Sequence, residues 1–181
     1  MFRYSVLPFL TVFLMFTGSL QAAEVGSKIP HDLALKDQAG TVQSFDALSG
    51  EKGIVLVFVR SADWCPYCQV QLIDLRDNAK PIEEAGYNVV TISYDAPEVL
   101  QKFANKYDFP YVMLSDEGSK AIQAFDILNT QYDEGHFAYG VPYPHVYVIS
   151  KDQYVQADLV KDGYKDRPEI TAILEAIKGL N

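Results

Sequence analysis

The stretch from Ile54 to Arg76 constrains this chain more than any other. Ile54 to Val59 is an unbroken apolar, largely β-branched run, and the chain's only two cysteines, Cys65 and Cys68, follow closely, three positions apart. Such a run reads as a strand buried on both faces. Gln69 to Arg76 then carries a helical pattern. The Cys-x-x-Cys therefore sits where a strand hands over to a helix. That placement predicts Cys65 at the helix N-cap and Pro66 as the first helical residue, where proline sacrifices no hydrogen bond. First-turn N–H groups, such as that of Cys68, point back at the Cys65 sulfur. The positive end of the helix favours a negative charge there, and both effects favour a thiolate. Cys65 is read as the attacking thiol. Cys68, one turn further in, is the resolving thiol, within reach to close a disulfide.

Two other readings of the pair stand beside the redox one. A structural disulfide between residues three apart closes a tiny loop and restricts the unfolded chain little. A closed zinc site needs four protein ligands, and only His31, His136 and His145 are there to help. Redox chemistry is the leading reading of such a pair. His145 is the histidine to watch as a metal ligand or proton carrier.

The remaining chain alternates strand and helix. Asp32 to Phe45 reads as a hairpin turning at Gln38-Ala39-Gly40. The helix after Cys68 presents Leu72, Leu75, Ala79, Ile82 and Gly86 on one face, and Pro81 predicts a kink near Asn78. Strands are expected over residues 88–94, 111–114, 145–150 and 154–160, and helices over 97–107, 118–125 and 167–178. Residues 129–143 form a fifteen-residue aromatic loop, longer than ordinary connections and so a functional candidate. This order gives an α/β fold, a mixed central sheet with helices on both faces and an N-terminal β-hairpin extension.

Met1 to Ala23 reads as a secretory signal. Arg3 is its one charge, Val6 to Phe16 its apolar core and Gly18 to Ala23 its small-residue end. Cleavage falls after Ala22 or Ala23. An uncleaved segment would be the only membrane attachment, and its apolar run is short for a spanning helix. Export, to a periplasm or beyond, places the thiols where disulfides persist. Residues 24–181 then form one domain. The formal net charge of −9 argues against nucleic acid as a partner.

Trp64-Cys65-Pro66-Tyr67-Cys68 after an apolar strand resembles the active site of thioredoxin-fold oxidoreductases, and its Pro-Tyr dipeptide resembles glutaredoxins. From about Gly26 to the C-terminus the chain resembles the peroxiredoxin-related AhpC/TSA, or redoxin, group and its TlpA-like members. The resemblance implies a thioredoxin-like fold and a Cys65–Cys68 redox-active disulfide. It implies substrate contacts from Trp64, Pro66 and Tyr67, and no cofactor. It also implies a cis peptide before Pro144, with Tyr143 offering backbone hydrogen bonds to an incoming chain. Arg60 and Asp63 flank the pair, and Arg60 is either a thiolate partner or a solvated strand-end residue.

The chain departs from these relatives in specific places. Peroxiredoxins carry proline and threonine or serine seven and three residues before the reactive cysteine. Counting from Cys65 gives Phe58 and Ala62, and counting from Cys68 gives Ser61 and Cys65. The peroxiredoxin arginine near the late strand is replaced by Pro144, and the buried aspartate of thioredoxin by Val59. These departures rank thiol–disulfide exchange with a protein or small thiol first. Peroxiredoxin-like antioxidant peroxidase activity comes second, with peroxide consumed no faster than by an ordinary thiol. A Sco-like copper chaperone is the alternative of another class.

Overall fold

The computed structural model describes residues 23–161, 163 and 165–180. Apart from Ala23, the signal segment assigned to residues 1–23 lies outside the described residues. Six strands form one sheet: β1 Lys36–Asp37, β2 Gly53–Phe58, β3 Tyr87–Ser93, β4 Val112–Ser115, β5 His145–Ser150 and β6 Val155–Leu159. Their order is β1-β4-β3-β2-β5-β6. Strands β2, β3 and β4 run parallel, while β1, β5 and β6 run antiparallel to their neighbours.

β2 is central, and every one of its residues is buried. Its side chains alternate between the faces of the sheet. Val55, Val57 and Val59 pack into one core cluster, and Ile54, Leu56 and Phe58 into the other. This explains why the sequence run is continuous rather than alternating. The first cluster takes Leu72 and Leu75 of α2 (Pro66–Asn78), Ile82 of α3 (Lys80–Glu84), Leu100 and Phe103 of α4 (Pro97–Tyr107), and Ile173 and Ile177 of α6 (Ile170–Lys178). The second takes Phe45 and Leu48 of α1 (Phe45–Leu48) and Ile122 of α5 (Lys120–Ala124). Helices thus cover both faces, as expected. Among the described residues no helix is long and apolar enough to cross a membrane.

Pro81 acts as predicted. α2 ends at Asn78, and α3 restarts two residues later with Ala79 capping both. The hairpin is smaller than expected. Lys36 bridges Val42, but Lys36 and Asp37 also pair with β4, and the return does not run as a strand to Phe45. Ser44 instead accepts the Ala47 N–H at 3.2 Å and caps α1, which buries Phe45 and Leu48. The last helix starts at Ile170 rather than Arg167. Pro168 disfavours helical backbone at the residue before it, so Arg167 stays outside.

Candidate active site

The parallel β2–β3 pair holds the site. Val59 continues the ladder by donating its N–H to Ile92 O at 2.9 Å. The chain then turns over a buried acid, Asp95, at the end of β3. The Asp95 carboxylate accepts from the Ala62 N–H at 2.7 Å and from the Ser61 and Ser93 hydroxyls at 2.9 Å each. Ser61 Oγ in turn accepts the N–H groups of Asp63 and Trp64, at 3.0 and 3.3 Å. Gln69 reaches back from α2 and donates to the carbonyls of Ala62 and Asp63. Burial lifts the Asp95 carboxyl above its ordinary range, outweighing the hydrogen bonds that favour its charge.

This scaffold delivers Cys65 to the N-cap of α2, with Pro66 in the first turn. Cys68 N–H donates to Cys65 Sγ at 3.3 Å. The two cysteines form a disulfide, with Cα atoms 5.2 Å apart and both residues buried. Arg167 approaches from the segment before α6, its Nη2 3.5 Å from Cys68 Sγ. Burial, aided by the like charge of Arg60, lowers the Arg167 guanidinium to about 10 against the pull of Asp166, so it remains cationic at neutral pH.

Trp64 is half-buried. Its indole N–H donates to Tyr94 OH at 2.9 Å, and Tyr94 OH donates to Phe137 O at 3.0 Å. The Trp64 and Phe137 rings meet edge to face, 5.1 Å between centroids. Arg60 is buried rather than solvated. Its guanidinium lies 4.9 Å from the Trp64 ring centroid and 5.5 Å from that of Tyr132, whose hydroxyl it contacts at 2.9 Å. The 129–143 loop is thereby tied to the site. Tyr67 is exposed beside the pair and Pro66 lies on the surface.

Pro144 differs from expectation, because the described residues contain no cis peptide bond. The Tyr143 N–H donates to Ile127 O at 2.7 Å, and Pro142 bridges Leu128. These bonds hold the chain extended into β5, which the default trans form allows. Tyr143 O lies 3.1 Å from His145 Nδ1. The Tyr143 N–H is therefore engaged within the chain, not left for a partner. Tyr143, Pro144 and His145 line a cleft of about 450 Å³ that no cysteine lines. His136 stacks on Tyr132, His145 on Tyr147, and the His31 ring accepts the Leu33 N–H. The copper reading gains no support from these placements.

Two residues escaped the sequence reading. Asp95 is an acid at the end of a buried strand beside Ser93, which is a usable signal. Arg167 carried no signal, since only the fold brings it to Cys68.

Residues 25–158 match the family model described as AhpC/TSA family. The chain is 32% identical over 139 residues to a protein of Sedum lineare named peroxiredoxin Q, chloroplastic, covering 77% of this chain and 70% of that protein. It is 33% identical over 108 residues to peroxiredoxin Bcp of Escherichia coli, covering 60% of this chain and 65% of that one. Among solved structures it is similar to peroxidoxin BcpB of Mycobacterium tuberculosis, with a TM-score of 0.70, 25% identity, and coverage of 86% of this chain and 95% of that chain.

Proposed function

This chain belongs to the AhpC/TSA family and is an oxidoreductase, and from that premise we propose that it is a two-cysteine thiol peroxidase. Cys65 thiolate attacks the peroxide O–O bond and becomes a sulfenic acid, releasing the alcohol or water after protonation. Cys68 then attacks the sulfenic sulfur, water leaves, and the Cys65–Cys68 disulfide closes. A thiol donor reduces it and completes the cycle. The carrying observation is the disulfide at the strand–helix junction, with Cys65 Sγ receiving the Cys68 N–H and Cys68 Sγ receiving Arg167. The names of the peroxiredoxin relatives support peroxide as substrate. That support reverses the ranking drawn from sequence, in which disulfide exchange came first.

The departures from the peroxiredoxin pattern are partly compensated. Arg167 supplies a guanidinium where Pro144 does not, at Cys68 rather than at the attacking Cys65, and Asp95 orders the loop in which Ala62 stands where an aligned hydroxyl was expected. The same proposal keeps the enzyme exported. Ala23, at the end of the assigned signal, packs into the second core cluster.

The test is peroxide removal with excess dithiothreitol as donor. The wild type should turn over and Cys65→Ser should not. Cys68→Ser should accumulate a sulfenic acid that dimedone traps on Cys65. Turnover that survives in Cys65→Ser would refute the assignment. Arg167 favours a second reading in which Cys68 attacks first. Dimedone labelling of Cys68 in Cys65→Ser, at the wild-type rate of oxidation, would select it.

A further inference from the structure

We propose that a groove between α2 and the segment leading into α6 seats the reductant, and that this reductant is a small peptide thiol bearing free carboxylates. The proposal rests on the peroxidase reading, because it names the donor that returns the disulfide to two thiols. The groove encloses about 540 Å³, walled on its apolar sides by Tyr67, Val70 and Pro168. That volume lies in the range that holds small-molecule ligands. Arg167 lines the groove and its Nη2 stands 3.5 Å from the buried Cys68 sulfur, so the groove comes within one side chain of the disulfide.

The polar groups of the groove name the ligand. Gln71 is 93% buried on α2 (7% exposed), and among the described residues its Oε1 accepts no hydrogen bond. A buried acceptor without a donor calls for an explanation, and a peptide N–H supplies one. Lys165 and Arg167 bring two cations to the groove lining for carboxylates. Asp74 and Glu169 offer acids for an α-ammonium. An alkyl hydroperoxide carries one O–H and nothing for these charges. A peptide thiol has thiol, amide N–H, carboxylate and ammonium in one molecule.

The chemistry follows from the side of approach. The bound thiolate, favoured by Arg167, attacks Cys68 Sγ. A mixed disulfide forms on Cys68, and Cys65 leaves as a thiolate at the helix N-cap, where departure is easiest. A second thiolate attacks the ligand sulfur of the mixed disulfide. The oxidised peptide disulfide leaves, and Cys68 takes up a proton. Two thiols are oxidised for each disulfide reduced, and Cys65 is released in the state that meets the next peroxide.

The experiment uses oxidised full-length protein without peroxide and follows Trp64, the only tryptophan. Glutathione, its diethyl ester and dithiothreitol are compared at equal thiolate concentration. The proposal requires that the rate saturate with glutathione and fall about tenfold with the ester, whose carboxylates are blocked. Gln71→Leu should lower the glutathione-to-dithiothreitol rate ratio about fivefold, the worth of one neutral hydrogen bond. Lys165→Gln, on the exposed rim, should lower it in the same direction. A linear glutathione dependence, equal rates for the ester, or an unchanged ratio in both variants would overturn the proposal. A reduced protein dithiol that outpaces glutathione equally in wild type and Gln71→Leu would do so too. None of these outcomes bears on the peroxide assay with dithiothreitol, so the two readings fail separately.

Discussion

Asp95 and Arg167 place opposite charges on either side of the redox loop, and each makes its own prediction. The Asp95 carboxyl titrates above its unfolded value because it is buried. Below the unfolded value both states are protonated and the group contributes nothing. As pH rises from about 4, the unfolded chain loses the proton first, so the native state is progressively disfavoured until the raised native value is passed. The stability difference between wild type and Asp95→Asn should therefore move against the wild type as pH rises through that window, as read by urea denaturation at each pH. A flat difference would mean that the carboxyl is not desolvated. Arg167 acts on Cys68. In Cys65→Ser protein, where Cys68 titrates alone, Arg167→Leu should raise the pH midpoint of Cys68 alkylation by about one unit or more, since an adjacent opposite charge shifts a titration by about one to three units. An unmoved midpoint would leave Arg167 a packing residue.

Elements rather than single residues hold the loop over the site. Tyr94, just past β3, accepts from the Trp64 indole and donates to Phe137 O, so one hydroxyl links the redox loop to the 129–143 loop. Tyr94→Phe removes both bonds at a cost of about 1 kcal/mol each. It should change Trp64 emission and speed proteolysis within the loop while leaving the fold intact. β2 shows how sharply an element can be specified. Gly53 has φ +144°, and a Cβ there would lie 1.9 Å from Ile149 O on β5. Gly53→Ala should destabilise the domain by at least about 4 kcal/mol, in the range reserved for direct steric conflict, and thermal unfolding would show it. Local sequence made some of these elements legible and not others. β2, the break at Pro81 and the N-cap cysteine were readable because each depends on neighbours in the chain. α1 was missed because Ser44 and its short helix look like a strand return until Phe45 and Leu48 find the core. The cis peptide expected at Pro144 was borrowed from relatives, whereas here the Tyr143 N–H bonds to Ile127 O.

At the scale of the whole molecule, two apolar clusters on opposite faces of one sheet leave the strand–helix junction at an end of β2, where loops from three parts of the chain converge. Asp95 comes from the end of β3, Phe137 from the long loop, and Arg167 from the approach to α6. The cysteines were legible in the sequence because the pair is contiguous. Their surroundings were not, because Cys68 and Arg167 stand 99 residues apart. That gap is why the peroxiredoxin arginine reads as missing in the sequence. The account therefore stands or falls on peroxide itself. Reduced protein mixed with hydrogen peroxide or an alkyl hydroperoxide in a stopped-flow instrument should show a second-order change in Trp64 fluorescence far faster than free cysteine reacts at the same pH. That change should depend on the Cys65–Cys68 pair and end in the disulfide by intact mass. Oxidation no faster than that of an ordinary accessible thiol, with rapid reduction of protein disulfides instead, would contradict the account.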